Sequence, residues 1–231
     1  MPELPDLPAG LSARPLRPDD IEAIVRLLAA AEPLDDTGEN ENADDLTEWF
    51  VNERLDLAAD SRVVEDAGEL VAWATVMDLG NHRDEYALRL DGRVHPDHRA
   101  RGIGRVLLRW QLDRSAELHR ARHPEMGGRF AVGVTTAHRS LESLVVRARM
   151  EPVQYYWQMH RPVTGLPAPR ATDGVELVPY DRERDEEVRV THNRAFADHF
   201  GTAERDAYAW QTWFTGQRAF RPDVSRLALA D

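Results

Sequence analysis

Val94-His95-Pro96-Asp97-His98-Arg99-Ala100-Arg101-Gly102-Ile103-Gly104 is the stretch on which the reading of this 231-residue chain turns. It continues an extended segment, Tyr86–His95, and opens a helix that carries Ile103, Val106, Leu107 and Trp110 on one face. A strand, a basic Gly-rich turn and a helix together make a cradle for phosphate. Glycines let backbone N–H groups approach an anion, and the helix N-terminus adds partial positive charge. Arg99, Arg101 and Arg105 are expected to add full charges. Two other phosphate-binding patterns drop out. The dinucleotide fingerprint needs a third glycine where Leu107 stands, and the Walker loop needs a lysine, which the chain lacks.

Working outward, the segment before the turn holds Gly92, which inside a strand marks a bulge or the close approach of another group. Arg62–Asp66, Ala67-Gly68 and Glu69–Met77 read as a hairpin. Leu11–Leu16 reads as a strand. Asp19 is expected to cap a helix with Ile21, Ile24, Val25 and Leu28 at helical spacing, and a second helix covers about Asp45–Arg54. Between them the acidic run Leu34–Asp45 reads as a solvated loop, able to attract a cationic amine. After the Gly-rich helix come a strand over Arg129–Val134, a helix with Leu141, Leu144, Val145 and Ala148 on one face, and a strand over Val153–Arg161. Residues 1–10 are Pro-rich and expected to form a flexible arm. Residues 162–173, which include three prolines and a glycine, are the linker candidate.

Composition narrows the chemistry. The 41 acidic and 29 basic residues leave a net charge of −12, which disfavours nucleic acid and anionic membrane as partners. Without lysine there is no Schiff base. Without cysteine there is no disulfide, thiolate nucleophile or Cys-ligated zinc, which fits a cytoplasmic protein. The first residues form no signal peptide, and no apolar run is long enough to span a membrane. His95 and His98 lack a third ligand, so no metal is expected. Ser140 near His138 lacks the turn of a hydrolase nucleophile.

The Val94–Gly104 stretch resembles the acyl-CoA signature of the GNAT superfamily of N-acetyltransferases, and the order of elements over about Leu11–Arg161 is similar to that family's. The resemblance implies an α+β fold: a mixed, mostly antiparallel sheet flanked by helices and splayed beside the fourth strand. It implies acetyl-CoA as co-substrate, with no metal. The pantetheine arm would run along Gly92, Arg93 and Val94, and the pyrophosphate would sit on Arg99, Ala100, Arg101, Gly102, Ile103, Gly104 and Arg105. The reaction would be direct attack of a small-molecule amine on the thioester, needing a base, an acid and positioning. Asp91 and Glu85 are the carboxylates near the signature, and Tyr156, with Tyr155, is the candidate acid. The family's usual tyrosine position on the following helix is Val145 here, its usual Asn is His138, and its Gly-Phe is Arg149-Met150. These departures keep open a second reading, a non-catalytic acyl-CoA-binding module.

The chain after the linker reads like its beginning. A shift of 164 positions lays Trp49-Phe50 on Trp213-Phe214, Ser61-Arg62 on Ser225-Arg226, Pro15 on Pro179 and Arg54 on Arg218, without gaps. The expected organisation is therefore an acyl-CoA-binding unit over 11–161 and a partial second unit over 174–231, similar to tandem members of the family. Such a half-unit is expected to be part of a longer protein.

Overall fold

The computed structural model describes every residue except 1–3, 5, 79, 81, 168–171 and 231. Its centre is a five-stranded sheet in the order β1-β2-β3-β4-β5, built from β1 (Leu11–Arg14), β2 (Ser61–Asp66), β3 (Glu69–Asp78), β4 (Glu85–Val94) and β5 (Gly127–Ala131). All neighbours are antiparallel except β4 and β5, which run parallel. The β2–β3 hairpin forms where expected because Ala67 and Gly68 both adopt positive φ, 50° and 86°, as a two-residue turn between twisted strands requires.

Alternation along β3 decides the layering. Ala72, Ala74 and Val76 face a core that includes Ile103 and Leu107 of α4 (Ile103–Arg122). Trp73 and Met77 face a second core with Ile24 and Leu27 of α1 (Ile21–Asp35) and Leu46 and Phe50 of α2 (Ala43–Phe50). A short helix, α3 (Leu57–Asp60), leads into β2, and α5 (Arg139–Arg147) follows β5. No described helix is long and apolar enough to cross a membrane.

Several expectations are corrected. Asp19 does not cap α1: it lies in a 3-10 turn, while Asp20 accepts the Arg17 N–H at 2.7 Å and pairs with Arg14. The expected strand over Val153–Arg161 forms no ladder, and Trp157 is 87% exposed. Its alternating apolar residues define a face, but among the described residues no strand pairs with it. In the segment read as a flexible arm, Leu4 and Leu7 pack partly against the α4 core, and Asp6 takes Arg109 at 3.1 Å. Residues 168–171 of the linker candidate lie outside the described residues.

Beyond residue 173 stand β6 (Val175–Pro179), α6 (Asp185–Ala195), α7 (Ala207–Trp210) and β7 (Arg226–Ala230). β6 and β7 pair antiparallel as a separate sheet. Val175 opposes Ala230 as Leu11 opposes Asp66, 164 positions earlier on both strands. The starts of α6 and α7 lie at the same offset from those of α1 and α2.

Candidate active site

The ladder between β4 and β5 ends at Arg89 and Ala131, so Leu90–Val94 keep β3 on one side and lose their partner on the other. On that side the Val94 carbonyl takes Arg99 Nε at 3.1 Å, and β5 offers no partner to the backbone groups of Leu90–Arg93. Gly92 is required here for a local reason: a Cβ would stand 2.6 Å from the Trp73 carbonyl oxygen of β3. His95 N–H extends the β3 ladder by one bond to Val71 O, and the chain then turns through Pro96–His98.

The turn itself is concave. Ala100 and Gly102 both have positive φ, 60° and 93°, separated by Arg101. The Ala100 conformation costs about 1 kcal/mol for a residue with a side chain. Gly102 is the N-cap of α4 and provides no capping side chain, and no acidic residue occupies the first turn. The N–H groups at the helix start are therefore directed at whatever fills the cavity in front of them.

That cavity has a volume of about 710 Å³. It runs from Trp73, Leu90 and Asp91 at the strand splay, along Gly92–Val94, to the cradle at Arg99–Arg105. All ten residues expected to bind the cofactor line it. One face of α5, with Ser140, Leu144 and Arg147, closes the other side. Leu144 reaches over Gly104, where a Cβ would meet its Cδ2 at 3.4 Å. Gln111 of α4 fixes the base of the splay, donating to Thr75 O at 2.9 Å and Asp91 O at 2.8 Å.

The charges are not disposed as the sequence suggested. Arg99 is locked onto Asp35 by two 2.8 Å bonds, and Arg101 pairs with Asp66 at 2.8 Å. Arg105 and Arg147 are the cavity-lining arginines with no ion pair among the described residues. His95 and His98 serve the turn: His95 Nδ1 accepts the Asp97 N–H, and His98 contacts Arg101 and Asp66.

Of the four residues considered for proton transfer, Asp91, Glu85, Tyr155 and Tyr156, only Asp91 borders the cavity. Its carboxylate accepts from Arg89 Nε at 3.0 Å, and the Arg89 guanidinium lies over the Trp49 ring of α2. Glu85 is at the opposite end of β4, about 20 Å along the strand, paired with Arg129 at 2.8 Å. Tyr155 and Tyr156 are 73% and 75% exposed and do not border the cavity.

Sequence reasoning left several groups without a role in the site. Glu41 sits in the α1–α2 loop that was read as solvated charge. Burial pushes its carboxyl up to about 7, with repulsion from Glu39 and Asp91 outweighing the pull of Arg93 and Arg89. His138 is buried on the cavity wall, and burial pushes its imidazole down despite Asp35 nearby. A polar Gln on the apolar stripe of α4 was the available signal for Gln111. Ser140, Ser143 and Arg147 recur at helical spacing on α5.

Residues 21–125 match the family model described as acetyltransferase (GNAT) family. Mycothiol acetyltransferase of Mycobacterium sp. (strain JLS) is 34% identical over 157 residues, covering 63% of this chain and 47% of that protein. Mycothiol acetyltransferase of Thermobispora bispora is 38% identical over 112 residues, covering 46% and 33%. The chain thus spans about half or less of the length of these curated relatives. Among solved structures, the GCN5-related N-acetyltransferase from Sphaerobacter thermophilus superposes with a TM-score of 0.72 at 22% identity, covering 97% of this chain and 69% of that one.

Proposed function

We propose, from the match of residues 21–125 to the acetyltransferase (GNAT) family model, that the chain transfers an acetyl group from acetyl-CoA to the amine of a small molecule. The observation that carries this reading is the continuity of one cavity from the β4–β5 splay to the uncapped start of α4. An extended ligand with an anionic end matches both halves: a hydrogen-bonding arm against Gly92, Arg93 and Val94, and phosphates on the N–H groups of the turn, beside Arg105 and Arg147.

In this reading the chain contributes mainly positioning. The backbone edge of Leu90–Val94, unpaired with β5, orients the thioester, and a strand N–H near Val94 polarises its carbonyl. Asp91 accepts a proton from the bound ammonium, directly or through one water. The neutral amine then forms the new C–N bond as the C–S bond breaks, and the departing thiolate takes up the proton that the acylated nitrogen releases, leaving amide and free thiol. Glu41, whose carboxyl burial pushes up to about 7, interacts with the Asp91 charge without itself bordering the cavity.

The non-catalytic acyl-CoA-binding reading is favoured by one observation: among the described residues, no tyrosine borders the cavity, and Val145 occupies the family's usual acid position. Thiol release from acetyl-CoA over a panel of small amines separates the two. Amine-dependent thiol release supports the transferase; saturable CoA binding without release supports the binding module.

We also propose that residues 174–230 are a second copy of the first unit's opening. The support is the shared strand register, the shared offset of helix starts and the matched Trp-Phe pair. A cytoplasmic location accords with the absence of cysteine.

A further inference from the structure

We propose that Asp35 is the positioning residue of the phosphate cradle, and that Arg99 acts through Asp35 rather than as a ligand to phosphate. The inference rests on the acyl-CoA reading of the cavity and adds a residue outside the signature to it. Asp35 ends α1, and the chain reverses immediately after it through Asp36, in the left-handed region at φ 46°. Its side chain is 1% exposed. Both carboxylate oxygens accept from the Arg99 fork at 2.8 Å, and Arg99 Nε donates to Val94 O at 3.1 Å. A bidentate pair fixes orientation as well as distance, and it occupies the guanidinium edge that a phosphate would take.

The same carboxylate gathers the cavity's other walls. Arg93 Nε of β4 lies 3.6 Å from Oδ2, and His138 Nε2, at the start of α5, lies 3.3 Å from Oδ1. Thr135 Oγ1 donates to the Asp35 carbonyl at 2.7 Å. One buried anion thereby ties the ends of α1 and β4, the Gly-rich turn and the entry to α5. Its charge is also outnumbered. Two guanidinium groups share it, and His138 is held toward its neutral form by burial.

The two possible roles of Arg99 differ in sign. If Arg99 binds phosphate, Asp35 competes with the ligand, and Asp35→Asn leaves CoA affinity unchanged or raises it. If Asp35 positions the turn, the same change lowers affinity. The experiment is calorimetric titration of CoA into the whole chain, wild type and Asp35→Asn, with NMR of the arginine Nε–H groups of the wild type. The expected results are an affinity loss of about tenfold or more, and an Arg99 Nε–H that exchanges slowly without ligand and barely shifts with CoA while that of Arg105 moves. Unchanged or tighter binding by Asp35→Asn overturns the inference and leaves the acyl-CoA reading intact. If that variant does not fold, the wild-type spectrum decides, and a large CoA-induced shift at Arg99 overturns it. Failure of the wild type to bind CoA overturns the acyl-CoA reading, and this inference with it.

Discussion

Arg54 Nη2 donates to Asp206 Oδ2 at 3.0 Å, and 164 positions on the relationship recurs with the partners exchanged: Arg218 Nη2 donates to Asn42 Oδ1 at 3.3 Å. Asn42 caps α2 and Asp206 caps α7, so each arginine reaches the helix cap of the other unit. Reciprocal contacts of this kind are the signature of a two-fold interface. Arg218 adds Asp45 and Glu48 to its side, and Tyr208 adds Asn52 to the other.

These pairs are half-exposed, and each is worth about 0.2–1 kcal/mol. The double variant Arg54→Ala/Arg218→Ala is therefore expected to fold and to keep CoA affinity within about twofold. Hydrogen exchange across residues 207–216 is expected to speed up. Unchanged exchange there removes these arginines from the contact between the units.

Gly92→Ala inserts a carbon 2.6 Å from the Trp73 carbonyl oxygen, a backbone atom that moves only if β3 moves. The expected cost is about 1–3 kcal/mol, read as a lower urea midpoint with an unchanged slope. Stability equal to the wild type contradicts the close approach of these strands.

Gly102 and Gly104 should respond oppositely to alanine. At Gly102 φ is 93°, so a side chain is strained there even though its nearest neighbours are 3.8 Å away; the cost is about 1–2 kcal/mol. At Gly104, inside α4, the new Cβ makes ordinary contact with Leu144 at 3.4 Å, and helix propensity favours alanine by up to about 1 kcal/mol. Chemical denaturation of the two variants checks the sign at each site.

Glu41 has a raised carboxyl pKa in the fold, to about 7 from 4.5, mainly through burial. A raised acid leaves stability intact below its unfolded value and removes it as pH climbs through the folded one. Glu41→Gln is therefore expected to match the wild type at pH 4 and to exceed it at pH 8. After discounting for solvent, the gain is ~1 kcal/mol, or ~2–4 °C in Tm for a chain of this size. A thermal melt at both pH values tests it, and a gain at pH 4 alone reverses the assignment.

The hairpin at Ala67-Gly68, the close approach at Gly92 and the apolar stripe of α4 were legible because each is a local demand on backbone or periodicity. The three strand residues and the seven turn residues expected at the cofactor all line the cavity for the same reason: a short stretch of chain carries its own geometry. What was not legible depended on distant partners. Arg99 reads as a free cation until Asp35, 64 residues earlier, is brought beside it. Val153–Arg161 reads as a strand by alternation, but alternation cannot supply a neighbour to pair with. Glu85 and Asp91 look equivalent in sequence, yet six residues of extended chain separate them by most of the sheet.

The central claim is that the Gly-rich turn and the splay beside it form one acyl-CoA site. Calorimetric titration of acetyl-CoA into the wild type and Gly104→Val tests it most directly. Valine at that position adds an isopropyl group between Val94 and Leu144 on the cavity wall. The expected result is saturable one-site binding by the wild type and loss of binding by a variant that keeps its circular dichroism spectrum. No binding by the wild type, or equal affinity in the folded variant, would contradict the site.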